Sequence, residues 1–207
     1  MSTVRWNFRK HQDEEPVSFS QSILECVHDV VYIMAVVLIV FTFFIRVVIV
    51  SGDSMFDTLA DGDYLLVLNN PVCGTLEQGD IVVASMERFR GGEPIVKRVI
   101  ATEGQVVDID FNAGVVYVDG EALSEPYTYT GTTISEGMKF PLVVSEGCLF
   151  LMGDNRNESM DSRNPDIGLV DTREVLGKVI WLMIPGDGTW KHPMPRDFSR
   201  IGGFANG

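Results

Sequence analysis

Residues 30–50 read VVYIMAVVLIVFTFFIRVVIV, and the point where this run changes character decides the architecture. Val30 to Ile45 is apolar throughout apart from Thr42. At about 1.5 Å per residue a helix over that run spans about 24 Å, against a bilayer hydrocarbon core of about 30 Å. Arg46 can lengthen the span by snorkelling. The β-branched VVIV that follows is equally suited to opening a strand. The reading adopted is a helix that ends near Arg46, so that residues 30–46 form a transmembrane anchor. The run has no polar face, which argues against a buried helix of a soluble domain. It also starts late, is long for the apolar core of a cleaved targeting peptide, and has no small-residue cleavage site directly after it.

The flanks orient the anchor. Residues 1–29 are polar and carry Arg5, Arg9 and Lys10, against the single Arg46 on the other side. This bias places residues 1–29 as a cytoplasmic tail and residues 47–207 outside the membrane. Beyond Val50 the texture becomes short β-rich runs: 64–68, 81–84, 95–100, 106–110, 115–118 and 149–152. They are separated by turn signals at Asp61-Gly62, Gly79-Asp80, Gly91-Gly92, Asn112-Ala-Gly114 and Asp119-Gly120. QVVDID and GVVYVDG read as a hairpin. Asp171 to Leu176 reads as a turn of helix, and the chain from Gly186 onward as irregular. The class is therefore mostly β behind one N-terminal transmembrane helix, with residues from about 102 to 147 forming an inserted β subdomain.

Composition narrows the partners. The 207 residues carry a formal net charge of −13 and no basic cluster, which excludes nucleic acid as an expected partner. The acidic balance also means that attachment to a lipid bilayer rests on apolar burial rather than on attraction to anionic headgroups. Cys26, Cys73 and Cys148 are too few for a disulfide framework, and a Cys73–Cys148 bond is left open. The cysteines and the three histidines, His11, His28 and His192, match no metal-site spacing, so neither a metal nor a cofactor is expected.

Three clusters carry chemistry: SGDSMFDTL over 51–59, GDIVV over 79–83 running on to IVKRVI over 95–100, and GDNRNESMDSR over 153–163. Ser54 lies in a Gly-containing turn, where a serine is ordinarily a turn residue. As a nucleophile it would need a base. His11 and His28 lie before or at the membrane segment and His192 lies in a Pro-rich tail, which leaves a lysine or carboxylate. Lys97 is flanked by apolar residues on both sides; the plain alternative is a lysine on the solvent face of an amphipathic strand. Burial would have a purpose. Near pH 7.4 only about one ordinary lysine in a thousand is neutral, and lowering the pKa by about three units corresponds to about 4 kcal/mol of ammonium destabilisation. A neutral amine can accept the serine proton and later deliver it to a leaving amine. The third cluster, taken alone, is a tight polar loop and a poor match to a calcium loop.

In this order, behind an N-terminal membrane segment, the three clusters resemble bacterial type I signal peptidases over most of residues 30–184. The resemblance implies two antiparallel β-sheet regions with an active site close to the membrane surface. It implies a membrane-bound serine endopeptidase that removes signal peptides from exported preproteins, with small residues at the first and third positions before the cleaved bond. By the motifs, Ser54 matches the nucleophile and Lys97 the general base. Ser159 matches a serine that orients the lysine, and Asp161 and Arg163 an ion pair shaping the site floor. Asp154, Asn155 and Arg156 are supporting residues of the same motif. The Ser54 backbone N–H is the expected oxyanion donor. Gly52, which stands where some relatives have a second, hydroxyl donor, is the other residue expected to contribute backbone to the oxyanion site. Met55, Ile95 and Val96 are expected to line the substrate pockets, and Trp181 and Trp190 either dip into the membrane interface or belong to the core. The chain departs from the family at Asp57, where proline is usual.

Two other readings compete. A self-cleaving repressor-type protease would share the chemistry, but it would carry a DNA-binding head where residues 1–50 have none. A catalytically inactive homologue serving as a membrane scaffold in surface-protein assembly would be expected to lack Ser54 or Lys97, and both are present.

Overall fold

A computed structural model describes residues 19–204. The chain divides into two units, residues 1–40 and residues 41–207. Helix α1, Phe19–Phe43, is 25 residues long, about 37 Å at the usual rise. Its Ser22–Phe43 stretch reaches a mean hydropathy of 2.3 with none of that window buried. The helix thus begins eleven residues before Val30 and stops before Arg46. Ser22 to Asp29 contains no proline or glycine, and polar residues do not interrupt a helical backbone, so apolarity alone underestimates the helix at its N-terminal side. At the other end the β-branched residues prevail: Arg46 lies inside strand β1, Ile45–Ile49, where its Nε donates to Asn69 Oδ1 at 2.7 Å. Arg46 is a sheet residue and not a snorkelling helix end. The three tail cations lie outside the described residues.

The second unit is built on antiparallel strands. After β1 come β2 (Tyr64–Asn69), β3 (Ile81–Ala84), β4 (Ile95–Thr102), β5 (Val106–Asp110), β6 (Val115–Val118), β7 (Glu121–Ala122), β8 (Leu142–Val143), β9 (Cys148–Met152), β10 (Val170–Asp171), β11 (Val175–Ile184) and β12 (Gly202–Gly203). The main sheet runs β1-β2-β11-β3-β4-β9-β10, with β12 attached to β11; the second sheet runs β7-β6-β5-β8. All six expected strands are present, and the expected hairpin is the β5–β6 pair, with Val107 opposite Val118. The second sheet occupies residues 106–143, between β4 and β9, which pair directly with each other in the main sheet. It is therefore an insertion between neighbouring strands. Its inner residues Val107, Ile109, Val116 and Val118 pack with Ile100, Phe150 and Met152 of the main sheet.

Strand β11 was not anticipated, although it bridges β2 and β3 at the centre of the main sheet. Its sequence VLGKVIWLMI lacks clean alternation beyond Lys178, and its register shifts twice against β2. The expected helical turn is a short 3-10 helix over Thr172–Glu174, closed by Asp171 in a capping box. Trp181 and Trp190 are both exposed, so neither is a core residue. All three cysteines are free.

Candidate active site

Ser54 occupies the turn between β1 and β2. The base of this loop is closed by Val50 N–H to Asp63 O at 2.9 Å and Gly62 N–H to Val50 O at 3.0 Å. Met55 and Leu59 are buried in the cluster that also holds Val67, Ile81, Val83 and Val179, which pegs the loop onto the sheet from below. Gly52 adopts φ +90°, a left-handed conformation that favours glycine. Its N–H donates to Asp61 Oδ1 at 2.7 Å.

Lys97 is delivered by β4, between β3 and β9, opposite Val82. It is 3% exposed. Its Nζ lies 2.7 Å from Ser54 Oγ and 3.1 Å from Val96 O, and among the described residues it makes no ion pair. Burial pulls its pKa from 10.5 down to about 8, against the opposing charges of Asp161, Asp154 and Glu136; Arg163 adds to the fall. Buried placement without direct carboxylate contact is the condition that lets a lysine lose its proton near neutral pH.

The carboxylates are held away from Lys97 by arginines. Asp161 accepts from Arg163 Nε and Nη2, both at 2.8 Å, and from Gly153 N–H at 3.0 Å. Asp154 accepts from Arg98 Nε at 2.9 Å and Nη2 at 2.7 Å, and from the Thr58 hydroxyl at 2.6 Å. Both pairs are buried, and two-pronged arginine–carboxylate geometry is the strong form of such a bond. Asn155 ties the third cluster to the nucleophile loop: its N–H donates to Ser54 O at 3.1 Å and its Nδ2 to Asp53 O at 3.1 Å. Arg156 pairs with Glu125 and donates to Gly153 O at 3.1 Å.

The site residues expected from sequence therefore converge, with two differences. Ser159 donates its hydroxyl to Asp161 Oδ2 at 2.9 Å, and it is not among the hydrogen-bond partners of Lys97 in the described residues. A carboxylate two residues away is a stronger acceptor than an amine across the site, so the Ser159 hydroxyl is spent on Asp161 rather than on Lys97. Gly52 cannot serve as an oxyanion donor, because its N–H is committed to Asp61. The Ser54 N–H has no partner among the described residues and remains available. Of the pocket residues, Met55, Ile95 and Val96 all border the cleft of about 820 Å³ that runs past Ser54 and Lys97, but Met55 is only 1% exposed and serves chiefly as a peg. Asp57, the departure from proline, is exposed.

Several contributors escaped the sequence reading. Arg98 and Thr58 anchor Asp154. A Cβ on Gly153 would lie 2.2 Å from Ser159 Oγ and 2.3 Å from Ser54 O, so only glycine lets the Ser54 loop and the 153–163 loop meet. Glu136, on the cleft wall, pairs with Arg163 at 3.1 Å. Burial, helped by the charge of Asp161, raises its pKa to about 7.

A hydroxyl in contact with a buried, weakly basic amine, beside a free backbone N–H, is an arrangement suited to acyl transfer at an amide or ester carbonyl. The comparisons with known proteins agree with that class. The model of "Signal peptidase, peptidase S26" matches residues 23–184. A signal peptidase I of Bacillus licheniformis is 32% identical over 84% of this chain and 95% of its own length. Signal peptidase I S of Bacillus subtilis is 30% identical over 83% and 94%. The solved signal peptidase I of Enterococcus faecalis V583 is 28% identical, covering 50% of this chain and 96% of that one, with a TM-score of 0.41. The chain belongs to the signal peptidase family, peptidase S26, and is a serine peptidase.

Proposed function

We propose that this protein is a single-pass membrane enzyme that removes N-terminal signal peptides from exported preproteins through a Ser54–Lys97 acyl-enzyme mechanism. The observation that carries the mechanism is the 2.7 Å contact between Lys97 Nζ and Ser54 Oγ, made by a buried lysine without a direct carboxylate partner.

The neutral Lys97 amine takes the Ser54 proton as Oγ attacks the carbonyl of the scissile peptide bond. The resulting oxyanion accepts from the Ser54 N–H. Collapse breaks the C–N bond, and Lys97 returns the proton to the leaving amine of the mature protein. Water, deprotonated by Lys97, then attacks the ester; the signal peptide leaves as a carboxylate and Ser54 recovers its proton. Asp161, Arg163, Asp154 and Asn155 hold the loops that carry these groups, and Ser159 supports Asp161 through its hydroxyl bond. Ile95 and Val96 give the cleft an apolar wall beside Ser54 and Lys97, against which the small side chains before the cleaved bond would rest. The apolar Ser22–Phe43 helix, its length and the tail cations support a bilayer anchor with the N-terminus cytoplasmic and the catalytic unit outside.

The scaffold alternative has no support among the matched relatives described above, which are named as peptidases. The reading is tested by incubating the membrane-reconstituted protein with a preprotein bearing Ala-x-Ala before its mature start. Mass spectrometry should find one cut after the second alanine, lost when that alanine is replaced by leucine. Cleavage at unrelated positions, or indifference to the leucine, would reject the substrate assignment.

A further inference from the structure

The irregular segment after β11 returns His192 to the edge of the catalytic cleft. There its ring nitrogen and the carboxylates of Asp53 and Glu158 lie with all ligand atoms within 4.8 Å of one another. We propose that these three residues form a binding site for a divalent transition ion of the zinc class, which clamps the C-terminal segment to both catalytic loops. Spacing alone could not disclose it, because the residues come from three distant parts of the chain.

Four features support the assignment. First, His192 Nε2 is buried and has no hydrogen-bond partner among the described residues; it faces Glu158 Oε2 at 3.7 Å. An unpaired buried nitrogen is unfavourable unless something else satisfies it. Second, the ring is held in place: it stacks on Phe56 at 4.7 Å and 25°, and meets Tyr129 edge-on at 5.8 Å. Third, the Asp53 carboxylate accepts the Thr189 hydroxyl at 2.8 and 2.6 Å, so the segment that carries His192 is already bound to it. Fourth, one imidazole with two carboxylates is a donor set that suits zinc and its neighbours better than calcium or magnesium, which prefer all-oxygen shells.

Bond lengths of about 2.0–2.1 Å put the donors of a tetrahedral zinc site about 3.4 Å apart, so the cluster must contract. Glu158 supplies that movement, since its side chain is 42% exposed and, among the described residues, is held only by Lys191 at 3.2 Å and the long His192 contact. An exposed lysine–glutamate pair is weak and yields to a divalent ion. Asp53 directly precedes Ser54, and Glu158 directly precedes Ser159. An ion shared by them would join the two loops that Asn155 and Gly153 already bring together.

The test uses the full, untagged chain in detergent, stripped with chelator. It is titrated with Zn²⁺ by calorimetry and with Co²⁺ by visible absorption. One ion per chain should bind, the cobalt spectrum should show tetrahedral d–d bands, and melting should shift upward. Glu158→Gln and His192→Gln should each weaken binding by about tenfold or more. Glu158→Gln, at an exposed position, keeps the test valid should His192→Gln disturb the ring stack. Affinity unchanged in Glu158→Gln would overturn the site, as would cobalt–thiolate charge-transfer bands assigning the ion to cysteines. Because the readout is binding, it is independent of whether the protein cleaves signal peptides.

Discussion

Replacing Lys97 with methionine should stabilise the protein while abolishing its chemistry, and the gain should depend on pH in a defined direction. Burial lowers the Lys97 pKa from 10.5 to about 8. That fall of about 2.5, at about 1.4 kcal/mol per unit, destabilises the folded state by about 3 kcal/mol at neutral pH. The sign follows from proton counting. Between about pH 8 and 10.5 the unfolded chain holds the lysine proton and the folded one does not, so wild-type stability rises with pH across that window. Methionine fills a similar volume without a charge. It forfeits the bonds to Ser54 Oγ and Val96 O, about 1 kcal/mol each, so the variant should be about 1 kcal/mol more stable at pH 7. The cleaner quantity is the difference in slope. Wild type should gain about 2–3 kcal/mol relative to Lys97→Met between pH 7 and pH 10, because other titrations cancel between the two proteins. Urea unfolding of both in detergent, followed by tryptophan fluorescence, measures it. A stability difference that does not change over this range would refute the claim that the lysine is buried in a pKa-lowering site.

Asp154→Ala should destabilise by about 3–5 kcal/mol, since it leaves the buried Arg98 guanidinium without its carboxylate; a urea midpoint at or above wild type would contradict this. Glu136→Gln removes a charge that raises the Lys97 pKa, so the rising limb of kcat/KM against pH should move to lower pH with the plateau rate retained. A shift to higher pH would show that Glu136 acts otherwise. Gly153→Ala should lower kcat by about a hundredfold through displacement of Ser54 from Lys97, while the far-ultraviolet circular dichroism stays that of wild type.

The sequence disclosed the strands whose residues alternate or form short apolar runs between glycine turns, and it disclosed the residue types of the site. What it hid is instructive. Strand β11 has a continuous apolar stretch with a bulged register, so period-2 patterning fails where the strand is most central. The start of α1 was hidden because Glu25, His28 and Asp29 interrupt apolarity but not helicity. In the site, composition marked Asp154, Asp161 and Arg163 as a group but could not say which cation neutralises which anion. Asp154 takes Arg98 from the adjacent strand, and Asp161 captures the Ser159 hydroxyl that was expected at Lys97. Gly153 owes its role to contacts made across loops distant in sequence, for which one chain carries no local signature, and the Gly52 N–H is taken by a side chain of its own loop, Asp61. His192 was set aside as a base because of its Pro-rich surroundings, yet the fold of that tail places it beside Asp53.

Whether Ser54 and Lys97 act as one unit is measured by a double-mutant cycle on preprotein cleavage. Initial rates are taken for wild type, Ser54→Ala, Lys97→Ala and the double variant, all reconstituted in the same lipid and shown to be folded. Each single variant should lose at least about a thousandfold in rate, and the double variant should be no slower than the singles, because neither group functions without the other. Losses that multiply in the double variant, or a Lys97→Ala enzyme that cleaves at near the wild-type rate, would contradict the serine–lysine mechanism.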